Sequence, residues 1–184
     1  MIATLIRCAA VLAFAVPAVA AAEVQHYRID PASHIGFHVD QVGGGGITGA
    51  IPAVDGSFDI DRQNLAHSRV EIVIRPESVT TGQPRIDTFL RSGAVFDAVD
   101  YPEITFRSTR VEQTGPKSAT ILGVLTARGT TRNATFQATL ANEAGSRISF
   151  HVTGDIFRVP YGMGVGVPIY SNTVSFDMKL HGLR

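Results

Sequence analysis

The first residues in this 184-residue sequence whose type and spacing could bind a metal are His34 and His38. The alternation of Ile35, Phe37 and Val39 around them reads as a strand. On a strand, positions four apart are about 13 Å apart, too far to share an ion whose metal–nitrogen bonds are about 2 Å. His26, His67, His151 and His181 show no ligand spacing either, so no structural or catalytic metal is expected. For nucleophilic chemistry there is no G-x-S-x-G elbow, and the only cysteine, Cys8, lies in the N-terminal apolar run. The carboxylate pairs Asp59/Asp61 and Asp97/Asp100 adjoin turn residues, where solvated or capping roles are expected rather than acid–base work. Gly44-x-Gly46-x-x-Gly49 spells the dinucleotide fingerprint. That chemistry needs a helix N-terminus behind the glycines to hold pyrophosphate, and Ile51-Pro52 follows instead, so the run reads as an inter-strand loop. Asn133-Ala134-Thr135 matches a glycosylation site but sits in a strand pattern and is taken as a chance match. No catalytic constellation emerges, and a non-enzymatic role without a cofactor is expected.

The elements that surround these residues begin with a targeting signal. Arg7 stands in an apolar run from Ile2 to Val16, followed by Pro17 and the small residues Ala18 to Ala22. This reads as a Sec-type signal peptide, residues 1–22, cleaved after Ala20 or Ala22; the run is too short to remain as a span. The expectation is a periplasmic or secreted chain with no stable membrane span and one domain, residues 23–184. Removing Arg7 leaves 15 basic and 16 acidic residues, a net charge of −1. With no basic block, nucleic acid is not an expected partner. Without Cys8 the domain has no thiol for a disulfide, so stability must come from packing.

Strict alternation then recurs along the chain: Val70, Ile72 and Ile74; Ala134, Phe136, Ala138 and Leu140; Ile148, Phe150 and Val152; Val174, Phe176, Met178 and Leu180. Turns are predicted at Gly43 to Gly46, Asp55-Gly56, Gly115-Pro116, Arg128-Gly129, Asn142 to Gly145 and Gly162 to Gly166. This is an all-β antiparallel pattern, and periodicity alone leaves sandwich and barrel both open. One helix is predicted, Pro84 to Ser92, with Pro84 in the first turn, Ile86, Phe89 and Leu90 at helical spacing, and Gly93 as the stop. It is expected to flank or plug one end of the fold, or to cover the doubly apolar segment Ala119 to Ala127.

The order of several short motifs resembles the YceI-like family. Tyr27-Arg28-Ile29-Asp30 with Ser33-His34 is similar to its opening strand, and Gly56-Ser57-Phe58 to its next. The densest likeness is Ser78-Val79-x-Thr81-Gly82, Arg85-x-Asp87, Leu90-Arg91-Ser92, Phe96-Asp97 and Tyr101-Pro102-x-Ile104-Thr105-Phe106-x-Ser108. Gly123-x-Leu125-Thr126-x-Arg128-Gly129 and Arg158-x-x-Tyr161-Gly162-Met163 complete it. The chain departs from the family pattern at Gln41 and Phe89, each standing where a histidine is usual, and at Val159-Pro160, which replace a serine-aspartate pair.

The resemblance implies a lipocalin-like barrel of about eight strands whose lumen takes a polyisoprenoid: a polyprenyl phosphate, a prenyl alcohol or a quinone-like molecule. It is compatible with a homodimer and with envelope stress response. The tail is assigned to Phe37, Val39, Ile72, Ile74, Phe89, Leu90, Phe106, Phe136, Phe150, Phe176 and Met178. Arg85, Arg91 and Arg158 are the candidates for a phosphate headgroup, because a guanidinium fork matches phosphate oxygens. The alternatives are a barrel with a filled interior acting through its outer surface, and an enzyme acting on a lipid headgroup.

Overall fold

Ten strands carry most of residues 24–184, which are those the computed structural model describes. The expected signal peptide and its cleavage position lie outside the described residues. In chain order the strands are β1 (Val24–Ile29), β2 (His34–Asp40), β3 (Gly46–Ile51), β4 (Val54–Asp61), β5 (Arg69–Ile74), β6 (Ile104–Gly115), β7 (Ser118–Ala127), β8 (Thr130–Ala144), β9 (Arg147–Phe157) and β10 (Thr173–Leu183). All pairings are antiparallel, and the ring β1-β4-β5-β6-β7-β8-β9-β10 closes through Arg28 opposite Leu183 and Ile29 opposite Gly182. β2 continues β1 along β10, with Ile35 opposite Met178, and β3 continues into β4, so the wall is a closed barrel of eight strands, two of them bent.

The first bend has a local cause. Pro31 cannot donate to the ladder, and the interruption is closed by side chains instead. The Asp30 carboxylate accepts from Ala32 N at 2.8 Å, while the buried Ser33 hydroxyl donates to His181 O at 3.2 Å and accepts from His181 N at 3.0 Å. The Ser33 side chain thereby serves the His181 N–H and C=O of β10 where the ladder is interrupted.

One predicted turn is strand instead, and a second begins later than expected. Asp55-Gly56 lies inside β4, with Gly56 opposite Ile72 at φ 139°; a Cβ there would stand 2.0 Å from Glu71 O. The glycine marks a close backbone approach, not a reversal of the chain. Gly56→Ala is expected to cost about 2 kcal/mol in urea denaturation, and a cost below about 0.5 kcal/mol would contradict this account. β8 likewise runs on through Asn142 to Ala144, bulging between Leu140 and Asn142 before it reverses at Gly145-Ser146. At Arg128-Gly129 the predicted tight hairpin is present, with φ 47° and 69°.

The helix α1 (Pro84–Arg91) forms where expected, with Pro84 in its first turn. It is tied down by the buried Asp87, whose carboxylate accepts from Thr81 N at 2.7 Å and from Thr81 Oγ1 at 2.6 Å. α1 sits at one mouth of the barrel. Phe89 and Leu90 border the interior, so the helix does not cover the outer face of β7, where Leu122 and Val124 stay half-buried. The end carrying α1, the β2–β3 loop and the β9–β10 loop is termed the lip below; the opposite end, where β1 begins and β10 finishes, is the floor.

Candidate functional site

Because each strand alternates, every second side chain points into the barrel, and the inward set is almost wholly apolar. These side chains do not fill the space: they enclose a cavity of about 490 Å³, a size that takes a drug-sized or small lipid ligand. All eleven positions assigned to a tail from sequence border it: Phe37, Val39, Ile72, Ile74, Phe89, Leu90, Phe106, Phe136, Phe150, Phe176 and Met178. Phe106 and Phe136 meet edge to face at 5.2 Å, and Phe136 and Phe176 at 6.3 Å, forming an aromatic band at mid-height.

The lumen stays open because its large rings rest over small neighbours. Phe37, Phe106 and Phe136 lie over Gly49, Gly123 and Gly154, where a Cβ would stand 2.6, 2.6 and 2.5 Å from the ring. The wall also carries Ala119 directly opposite Ala138 on the adjacent strand.

Of the three arginines proposed from sequence, only Arg158 borders the cavity. It is 7% exposed. Its guanidinium donates to Ser171 O at 2.8 Å, to Val165 O at 2.9 Å, to Tyr170 O at 3.2 Å and to Met163 O. No carboxylate is paired with it among the described residues, and burial pulls its pKa below the ordinary guanidinium value. With five N–H donors on the group and four used, one remains for a ligand oxygen. Arg91 donates to Val79 O at 2.9 Å and Arg85 is exposed on α1; neither borders the cavity.

Arg158 apart, sequence reasoning assigned no residue of the β9–β10 loop to the site. Tyr161, Met163, Val165 and Tyr170 all border the cavity around Arg158. Burial raises the pKa of the Tyr161 phenol, with the charge of nearby Arg132 opposing. The signal was the Arg158-x-x-Tyr161-Gly162-Met163 motif, which marked the loop without showing which way it folds.

The floor is polar. Arg62, Gln113 and Lys117 border the cavity there. Arg62 donates to Gln25 Oε1 at 2.8 Å, as the Tyr27 hydroxyl does at 2.9 Å, and pairs with Glu143 of β8, four places round the ring of strands from β4. This pair therefore crosses the floor.

Asp61, the only buried carboxylate at that end among the described residues, caps the turn after β4. It accepts from Gln63 N and Asn64 N, both at 2.9 Å, and from the His67 ring at 3.2 Å. The Asn64 amide chiefly holds its pKa below the ordinary carboxylate value, against the opposing effect of desolvation. A depressed carboxylate contributes stability that is present above the unfolded-state pKa, about 3.9, and is lost as pH falls through the lower folded value. Asp61→Asn is thus expected to flatten the stability profile below about pH 4 in acid titration followed by circular dichroism. Unchanged acid sensitivity would count against the cap. Among the described residues no group of three or more His, Cys, Asp or Glu side chains converges on a metal position. No helix there is long and apolar enough to cross a membrane.

The model of the YceI-like domain matches residues 27–181. The chain belongs to the YceI-like family. Among YceI-like relatives, a UPF0312 protein of Photorhabdus laumondii is 35% identical over 167 residues, covering 86% of each chain. The crystal structure of Burkholderia cenocepacia BcnA superposes with a TM-score of 0.77 at 23% identity, over 83% of this chain and 98% of that one. A domain from Saccharophagus degradans described as polyisoprenoid binding, and as implicated in plant cell wall breakdown, superposes with a TM-score of 0.70 at 17% identity, over 88% and 99% of the two chains. At these identities the two structures bear on the YceI-like barrel itself. This chain has that barrel with Phe89 on α1 and Val159-Pro160 at the start of the β9–β10 loop.

Proposed function

We propose that this protein is a non-enzymatic periplasmic or secreted carrier that holds one isoprenoid lipid, its tail in the barrel lumen and its headgroup beside Arg158. The observation that carries this reading is the apolar cavity inside a closed ring of strands, bordered by all eleven positions proposed for a tail. The Saccharophagus degradans domain, described as polyisoprenoid binding, shares the fold and supports the ligand class.

Each methylene-sized group taken from water contributes about 0.8 kcal/mol, so a branched prenyl tail binds without polar contacts. The headgroup then selects among prenyl lipids. Arg158 is a buried positive charge whose partners among the described residues are carbonyl dipoles, which suits a phosphate or a quinone carbonyl better than a cation.

Native mass spectrometry of the protein purified from a bacterial periplasm, with organic extraction of anything retained, tests this reading. A one-to-one isoprenoid adduct is the expected result; an apo mass that stays unchanged after adding prenyl phosphate, prenyl alcohol and quinone would reject it.

A further inference from the structure

The two ends of the barrel differ in surface chemistry. Of the eleven large apolar side chains exposed among the described residues, nine lie at the lip, and the two at the floor, Val24 and Leu183, belong to the first and last strands. Val42 is 75% exposed and Ile169 58%, with Phe89, Val165 and Val167 beside them. The β2–β3 and β9–β10 loops form one surface, since Val42 N donates to Ile169 O at 2.9 Å and Gln41 bridges to Tyr170. At the floor the exposed residues that border the same cavity are Arg62, Arg69, Gln113, Pro116 and Lys117, four of the five polar.

The two loops that carry most of these side chains are themselves uncharged. Residues 41–54 and 159–172 contain no Asp, Glu, Lys or Arg, and the carboxylates of this end stand outside those two segments. Arg85, one helical turn before Phe89, and Arg132 at the top of β8 are exposed cations with no carboxylate partner among the described residues. The exposed carboxylates Asp40, Glu77 and Asp100 at this end offset those arginines, so it is the apolar side chains of the two uncharged loops, suited to entering a headgroup region, that give the lip the composition of an interfacial surface.

We infer that the lip is a docking surface for a lipid bilayer, seating the mouth of the lumen on the membrane so that a tail passes between bilayer and barrel without crossing water. This deepens the carrier reading and rests on it for its purpose. A second copy of the chain explains the pattern less well, because Phe89 and Val165 of this surface border the cavity itself, and a partner seated there would close its mouth.

The chain has no tryptophan, so single reporters can be placed at either end: Val42→Trp at the lip and Lys117→Trp at the floor. Each full-length variant is mixed with phosphatidylglycerol/phosphatidylethanolamine vesicles whose acyl chains are brominated, and tryptophan quenching is read. The expected result is a blue shift and quenching for Val42→Trp and neither for Lys117→Trp. Adding Ile169→Asp to the lip reporter should lower vesicle partitioning about tenfold with the melting temperature unchanged, since Ile169 is solvent-exposed. Phosphatidylcholine vesicles should bind comparably, since apolar contact drives docking and the charges of this end offset one another.

Equal quenching at both ends, stronger quenching at the floor, or none at all would overturn the inference. The floor result is what tethering through the residues before Val24 would give, because β1 enters at that end. A retained isoprenoid without lip quenching would remove docking and leave the carrier; lip quenching with no retained lipid would do the reverse.

Discussion

Replacing Arg158 with alanine is expected to destabilise the protein by about 4 kcal/mol and to loosen the β9–β10 loop before the barrel unfolds. The side chain serves four carbonyls, those of Met163, Val165, Tyr170 and Ser171. Each carbonyl left buried without a donor costs about 1–3 kcal/mol, reduced where water reaches it. Arg158→Lys should recover less than half of the loss, because an ammonium has three donors on one atom and cannot span acceptors on both sides of the loop. Urea denaturation reads the total, and amide exchange at Gly162 and Tyr170, whose backbone N–H groups donate to Val159 O and Gly166 O at 2.9 Å, reads the loop separately. A loss under about 1 kcal/mol with unchanged exchange would mean that the loop holds itself.

The second large effect separates an open lumen from a filled one. Ala138 points inward from β8 opposite Ala119, beside open space. Ala138→Phe should fill part of the cavity at little cost in stability, whereas an added ring in a tightly packed core costs about 1–3 kcal/mol. A carrier with this variant should bind prenyl lipid about thirtyfold more weakly, the equivalent of two or three methylene groups excluded from the lumen. Tail length should matter as well, with shorter prenyl chains losing less than longer ones. Loss of stability without change in lipid retention would favour a barrel that acts through its outer surface.

Much of this was legible in sequence because a barrel strand with one wet and one dry face alternates in hydropathy. Val70, Ile72 and Ile74 on β5, and Phe176, Met178 and Leu180 on β10, all face the lumen as their spacing predicts. The helix was legible from Pro84 and the spacing of Ile86, Phe89 and Leu90. Gly56 was misread because Asp-Gly is a strong turn signal, and nothing local reveals that the backbone of Glu71 passes against that position. Arg158 could be named as a cation, but its acceptors are backbone carbonyls, which leave no mark in a sequence. Arg85 fell in the densest run of family-like motifs, yet an arginine on a helix beside a mouth can face either way, and this one faces water. The polarity of the two ends was not visible at all, since it depends on which loops the topology gathers: residues 41–46 and 159–170 are more than a hundred positions apart and meet through Val42 and Ile169.

The ring of strands is closed by its first and last members, through Arg28 opposite Leu183 and Ile29 opposite Gly182. The hairpins from β5 to β10 join neighbours in the chain and can form as they emerge, but this seam joins residues separated by nearly the whole domain, a contact whose loop-closure cost makes it slow. Until β10 arrives, β9 has an open edge and β2 lacks a partner on one side, so the growing chain exposes ladder groups that another chain could pair with. Synthesis from the N-terminus delivers β10 last. The final eleven-residue strand of this chain therefore decides whether the molecule becomes a sealed vessel or an aggregating open sheet.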